Sequence, residues 1–451
     1  MMLTRTNGRR DNQRRGGWRS VPAYALLLLP LVSLVTFASA ADYNTDPDSA
    51  ELKALAQPIE VDESTYGCGP LTTPGKTYYV SIDGNDQADG LSRGRAWRHV
   101  AHGIAQLHAG DTLIISEGEY LETALVMDAK KGPTGKPGSP ITIMAAPRHR
   151  VIISCAQKPA LTRTPSTQFT WQGKAVMGRG QGCAWETDTR IMLQRVATSS
   201  MVDELPGTWC WDKDSKTVYV HFSDSRGANV HELAVRSGKT TASVFGNDAC
   251  ALAIGVSYVR LKGLRFEFDN AGVLVRGNRV SGTGDDAVYS GGDHITIEDC
   301  AFSSTWFAGL VLKQGAQRIL VKTCYGVLNG GRGTFLLNDA GARHVLFLGN
   351  RTDPSPQTIR TLGWGHHYGI GTYGKEGRDY LLINNILNGR LSFRTKFMCR
   401  ATVLQGNILT GSCGFVPCTY YTLKYAPEDR IMVRNNVLLK NIGLYGRPKP
   451  D

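Results

Sequence analysis

Two carboxylates stand side by side at Asp285 and Asp286, within GNRVSGTGDDAVYSGGDH at 277–294. Paired carboxylates can act as acid and base, or acid and nucleophile, in hydrolysis of a glycosidic bond. They are also hard oxygen ligands that suit calcium, the one cofactor the sequence raises as a candidate. A second stretch, GWGHHYG at 363–369, gathers Trp364, His366, His367 and Tyr368. Tryptophan offers a flat apolar face for a sugar ring, and histidine and tyrosine can carry protons. Neighbouring residues of an extended chain point to opposite sides, so one histidine at most faces a given substrate. A third stretch, SFRTK at 392–396, puts Arg394 and Lys396 on the same strand face. Either could hold a carboxylate, and a lysine of lowered pKa could take the proton beside it. The same residues also suit a hydrogen-bonded turn, a packed aromatic turn and a basic surface strand.

These residues need a scaffold, and the scaffold repeats. HITIEDCAF and RILVKTCYG share almost no residues but share a pattern: aliphatic, polar, aliphatic, two polar residues, then cysteine. Seven segments carry it, namely VRLKGL, ITIEDC, ILVKTC, VLFLGN, YLLINN, TVLQGN and IMVRNN. They begin at Val259, Ile295, Ile319, Val345, Tyr380, Thr402 and Ile431, at irregular spacings of 22 to 36 residues. A period of two means short strands with one buried face. Irregular spacing means coils that absorb insertions at their turns. The pattern therefore predicts an all-β fold, a right-handed parallel β-helix in which each segment is one rung. The third positions, Leu261, Ile297, Val321, Phe347, Leu382, Leu404 and Val433, are all apolar and are expected inside. The sixth positions are Leu264, Cys300, Cys324, Asn350, Asn385, Asn407 and Asn436. The four consecutive asparagines predict an internal amide ladder.

A second strand column lies between the rungs: AGVLVR, AGLVLK, GTFLLN, YGIGTY and RLSFR. Their last residues, Arg276, Lys313, Asn338, Tyr373 and Arg394, then fall on successive coils of one outer face. That mixed basic, polar and aromatic strip suits a sugar polymer with negative groups, and it also suits an ordinary solvated sheet face. The two longest rung intervals contain 277–294 and 351–379, so the candidate catalytic loops flank this strip.

Composition is consistent with a large exported protein. The 451 residues are 41% hydrophobic and 20% charged, with 51 glycines. Six arginines precede the apolar run AYALLLLPLVSLVTFASA, and Ala38-Ser39-Ala40 supplies small residues at its exit, a secretory signal pattern. An uncleaved anchor is the rival reading. Removing residues 1–40 takes away six Arg and one Asp, so the formal charge falls from +12 to +7. A basic exported protein points to anionic polymers; basic runs with interleaved aromatics and zinc-finger spacings are missing, which argues against nucleic acid. The ten cysteines lack metal-site spacing, and some are expected in disulfides. Stable membrane insertion after signal cleavage is not expected, a monomer is, and the location is secreted or periplasmic.

Before the rungs, Trp97, Val100, Ala101, Ile104, Leu107 and His108 follow helical spacing, as a cap over the open end of a solenoid would. Asp83, Asn85, Asp86 and Asp89 just before it suit either calcium or a turn. YYVSIDGNDQADG, this helix and GDTLIISEGEY together resemble the N-terminal cap of secreted right-handed parallel β-helix proteins, a group that includes many polysaccharide lyases and glycoside hydrolases. GTWCWDKDSKTVYVHF at 207–222 resembles a hairpin of a β-rich insertion in several of those families. The resemblance covers about 76–451, and no complete catalytic motif of one family is present.

The expected organisation is a signal peptide at 1–40, a flexible segment at 41–75, cap and first coils at 76–160, the β-rich insertion at 161–250 and coils at 251–451. The resemblance implies an enzyme acting on polysaccharide; the positive charge favours an acidic substrate and hence cleavage by β-elimination, whereas the Asp285 and Asp286 pair favours a glycoside hydrolase. A polysaccharide-binding or envelope β-helix without catalysis is the remaining alternative.

Overall fold

The computed structural model describes residues 60–122, 125–128, 132–177, 182–236, 250–281, 288–329, 333–338, 342–353, 368–374, 378–388, 390–395, 402–410, 413–416, 431–439 and 442–444. The signal segment at 1–40 lies outside them. Three long parallel sheets run the length of the chain. Sheet A has ten strands, from Thr77–Val80 to Ile431–Arg434; sheet B has nine, from Gly118–Leu121 to Val437–Leu438; sheet C has nine, from Leu125–Met127 to Ile442–Leu444. One coil takes one strand from each, as Val259–Lys262, Leu264–Glu267 and Ala271–Arg276 do. The fold is a right-handed parallel β-helix, the hand that twisted strands impose on parallel crossovers.

The rungs stack in the expected register. Leu261 pairs with Ile297, Ile297 with Val321, Val321 with Phe347, Phe347 with Leu382, Leu382 with Leu404, and Leu404 with Val433. All seven are buried in one continuous core. The fifth rung position has its own physical reason. Gly263, Asp299, Thr323, Gly349, Asn384, Gly406 and Asn435 all have positive φ, from 48° to 70°. This residue makes the sharp corner between sheets A and B, and glycine, asparagine and aspartate tolerate that backbone best. Thr323 is the β-branched exception, and its hydroxyl hydrogen-bonds the Asp299 carboxylate one coil back.

The corner turns the sixth position inward, where the amide ladder forms. Asn350 N–H and Nδ2 donate to Asn385 Oδ1 at 2.8 and 2.9 Å. Asn385 makes the same two bonds to Asn407, and Asn407 makes them to Asn436. The ladder starts at Cys324 N–H, which donates to Asn350 Oδ1 at 2.8 Å. Cys300 and Cys324 continue the column as buried thiols.

The cap helix is short, Val100–Ala105. Trp97, Val100, Ile104 and Leu107 are buried over the first coil, whereas Ala101 and His108 are exposed. The chain leaves helical geometry after six residues, so the spacing cannot carry His108 onto the same face. The β-rich insertion forms a four-stranded and a five-stranded sheet around Trp209, Val218, Val220, Phe222, Leu233 and Val235. Its antiparallel hairpin, Thr208–Asp212 with Thr217–His221, is the one the sequence suggests. Arg190 of the insertion holds it to the coils, reaching buried Glu267 at 3.1 Å and Ser303 Oγ at 2.7 Å.

The described part of the expected flexible segment is docked instead. Gly67 N–H donates to Arg318 O at 2.9 Å, Cys68 N–H to Thr296 Oγ1 at 3.0 Å, and Tyr66 stacks on His344 at 4.3 Å. Residues 60–69 thus lie along the outer face of sheet A, which a composition-based reading cannot foresee. The disulfide expectation is not met at Cys68, Cys155, Cys210, Cys300 or Cys324, all of which are buried thiols. Their environments explain this: the ladder column encloses Cys300 and Cys324, and Asp269 accepts from the Cys155 thiol.

Candidate functional site

The strip is built by sheet C. Arg276 pairs with Lys313, Lys313 with Asn338, Asn338 with Tyr373, and Tyr373 with Arg394. These are five consecutive coils, about 4.8 Å apart. Val273, Val275, Leu310 and Leu312 of the same strands point into the core, so strand alternation puts Arg276 and Lys313 on the outer face. Both are half-buried. The sequence reading missed the row beside them. Leu274, Val311, Leu336, Gly371, Ser392 and Gly414 are in register across the same coils. It is bulky and apolar at the first coils and changes to glycine and serine next to Tyr373 and Arg394. Glycine there lets a ligand approach the backbone closely. The signal was present in YGIGTY, RLSFR and CGFV as small residues two positions before the strip.

The two long insertions meet sheet C at opposite strand ends. The first leaves directly after Arg276 as an antiparallel hairpin, Asn278–Ser281 with Val288–Ser290. Its stem packs beside the next coil: a Cβ on Gly315 would lie 2.2 Å from Tyr289 Cγ, so only glycine leaves room for that ring two residues after Lys313. Asp285 and Asp286, between these two strands in sequence, lie outside the described residues. The second insertion leads into Tyr368–Gly374. Trp364, His366 and His367 lie outside the described residues, as does Lys396. Tyr368 is in register with Arg390, at the entry of that strand. The insertions are three coils apart, about 14 Å along the axis.

Burial pushes the Asp269 carboxyl up to about 7 at the corner between sheets B and C, against hydrogen bonds from the Cys155 thiol and N–H. It is fully enclosed, so no substrate reaches it. Three residues of the cap's acidic group, Asn85, Asp86 and Asp89, hold turns. Asp86 accepts from Arg98 and His99 N–H, Asp89 from Leu91 N–H, and Asn85 from Gln87 N–H. The second oxygen of Asp86 lies 2.5 Å from His99 Nδ1, and that of Asp89 3.2 Å from Arg95.

No protein-family model matches the chain, and no curated protein matches it. Solved structures do. A structure described as XylC in complex with xylose aligns with a TM-score of 0.50 and 12% identity, covering 75% of this chain and 69% of that one. The shared feature is the parallel β-helix. A glycoside hydrolase aligns at 0.44 and 11% identity, covering 81% and 96%, and pectate lyase Pel9A at 0.40 and 12%, covering 85% and 80%. At such identities the likeness is one of fold, and function rests on the site. No helix among the described residues is long and apolar enough to cross a membrane.

Proposed function

We propose that this chain is an exported carbohydrate-active enzyme that binds an acidic polysaccharide along the outer face of sheet C and cleaves it by β-elimination. The observation that carries this is the unbroken register Arg276–Lys313–Asn338–Tyr373–Arg394. Cationic, amide and phenolic positions recur once per coil, a spacing comparable with the length of one pyranose unit. The structural neighbours described as a glycoside hydrolase and a pectate lyase are in keeping with such a substrate class.

In this reading Arg394 or Lys396 pairs with the uronate carboxylate and lowers the cost of deprotonating its α-carbon. His366, His367 or Lys396 takes that proton. Tyr368 or Tyr373 protonates the departing glycosidic oxygen, and the sugar beyond the break is left unsaturated. Trp364 stacks on a ring at the edge. A hydrolytic reading uses Asp285 and Asp286 instead, in the segment joining the hairpin strands Asn278–Ser281 and Val288–Ser290 that follow Arg276.

The test is to incubate the protein with a panel of acidic and neutral polysaccharides, following reducing ends and the ultraviolet absorbance of unsaturated uronates. Elimination predicts both signals. Arg394→Ala should lower turnover on the order of 100-fold, as loss of a transition-state charge partner does, with unchanged circular dichroism. Reducing ends without absorbance would replace elimination with hydrolysis. Polymer affinity without either signal would leave a binding protein. Full activity in both Arg394→Ala and a His366/His367 double alanine would move the site off sheet C.

A further inference from the structure

The β-rich insertion gathers four ionisable side chains that the sheet C strip does not use. Glu186 ends the strand Ala184–Glu186, Asp188 lies in the turn that follows, Asp224 follows Thr217–His221, and His231 precedes Leu233–Arg236. His231 and Glu186 are fully buried, with side-chain exposures of 1% and 0%, while Asp188 is 41% exposed. His231 Nδ1 lies 2.8 Å from Asp188 Oδ2 and 3.5 Å from Glu186 Oε1, and the three ligand atoms all lie within 4.8 Å of one another. On the other side of the ring, Nε2 is 2.9 Å from Asp224 Oδ1. Asp224 is itself fixed by the Arg226 N–H at 2.9 Å and by Arg226 Nε at 2.5 Å.

Two physical points follow. With Nε2–H donated to Asp224, Nδ1 presents a lone pair, and two carboxylates converge on the same space. Three acceptors this close call for a positive charge, which either a bound cation or a second proton on the imidazole supplies. Second, a tetrahedral ion bound at about 2.0–2.1 Å separates its ligand atoms by about 3.3 Å. The 2.8 and 3.5 Å separations lie on either side of that value. The outer shell has the form metal sites use: a carboxylate holds the far ring nitrogen and fixes the tautomer. Glu186 is oriented likewise, accepting from Thr189 Oγ1 at 2.6 Å, Ser223 Oγ at 3.0 Å and Ser223 N–H at 2.9 Å.

We infer that Glu186, Asp188 and His231 form a binding site for a divalent transition-metal ion of the Zn²⁺ class, positioned by Asp224. One imidazole nitrogen with two carboxylate oxygens suits Zn²⁺, whereas Ca²⁺ and Mg²⁺ favour oxygen-only shells. Exposed Asp188 leaves the fourth position open to solvent. The ion ties the turn after Ala184–Glu186 to the residues leading into Leu233–Arg236, and this site stands apart from the proposed function of sheet C.

The experiment uses tag-free protein treated with a chelator and then titrated with Zn²⁺, Mg²⁺ or Ca²⁺ by calorimetry, with Co²⁺ absorption reporting the ligand field. The expected result is one Zn²⁺ bound per chain, a tetrahedral Co²⁺ spectrum, and no comparable binding of Mg²⁺ or Ca²⁺. Asp188→Asn keeps a hydrogen-bonding group at an exposed position and should remove the site without lowering the metal-free melting temperature. Asp224→Asn should weaken Zn²⁺ binding about 10–100-fold, as outer-shell changes do. Absence of saturable Zn²⁺ binding, or binding equally strong in Asp188→Asn and His231→Gln, would overturn the inference and leave a protonated imidazole bridging the carboxylates.

Discussion

Replacing Asn385 with leucine tests the ladder at its centre. Asn385 is fully buried and makes four side-chain hydrogen bonds. Its Oδ1 accepts from Asn350 N–H and Nδ2, and its Nδ2 donates to Phe347 O and Asn407 Oδ1, all at 2.8 to 2.9 Å. Leucine fits the column sterically, because Leu264 occupies an equivalent buried corner position four coils earlier. The change is therefore one of polarity rather than of volume. Asn350 N–H would face an apolar side chain, and a buried orphan donor costs about 1–3 kcal/mol. The other groups suffer less: Asn350 Nδ2 keeps Val321 O, and Asn407 Oδ1 keeps the backbone N–H of residue 385. Each lost bond there costs about 0.5–1.5 kcal/mol, against about 1.5–3 kcal/mol regained by burying leucine. The expected net loss is about 3 kcal/mol. Urea unfolding followed by circular dichroism measures it, and amide exchange at Asn350 localises it. Asn436→Leu is the control, because Asn436 is only half-buried and water can replace its partners. An unchanged midpoint for Asn385→Leu, or equal losses in the two variants, would refute the reasoning.

Two further outcomes are expected. Asp269 has a folded pKa of about 7, raised by burial above the usual carboxyl value. The folded state thus keeps a proton that the unfolded chain releases. Stability should fall as pH rises from about 4 through about 7 and then level off, with a loss on the order of 2–3 kcal/mol between about pH 5 and about pH 8. Denaturation midpoints at both pH values check this, and Asp269→Asn should remove that component; a slope identical to the parent's would contradict it. Gly67 has φ +70°, and a Cβ there would lie 2.3 Å from Thr296 Oγ1. Gly67→Ala should release the segment 60–69 from sheet A, seen as faster proteolysis there with the coils intact, and unchanged cleavage would mean the segment is held elsewhere.

The rung pattern determined the fold because a strand's side chains alternate with period two whatever the loops do. Leu261 to Val433 could be aligned across intervals of 22 to 36 residues, and alignment alone put Asn350, Asn385, Asn407 and Asn436 in one column. It also aligned Arg276 to Arg394, since the second strand column obeys the same rule. The fifth position was legible too and went unread: glycine, asparagine and aspartate recur there because the corner requires positive φ. What the sequence could not decide is whatever depends on side chains meeting from unrelated coils or segments. The contact of Arg190 with Glu267 spans 77 residues, and Cys68 with Thr296 spans 228. Nothing periodic links them, so docking of the N-terminal segment and seating of the insertion are tertiary outcomes. The same holds for Glu186, Asp188, Asp224 and His231. They are ordinary turn and strand-end residues along the chain, and only antiparallel pairing of Ala184–Glu186 with Leu233–Arg236 brings buried His231 against the carboxylates. The register of a solenoid is written locally, one coil at a time, whereas a cluster of charges becomes a site only when folding removes water from between groups that the sequence keeps apart.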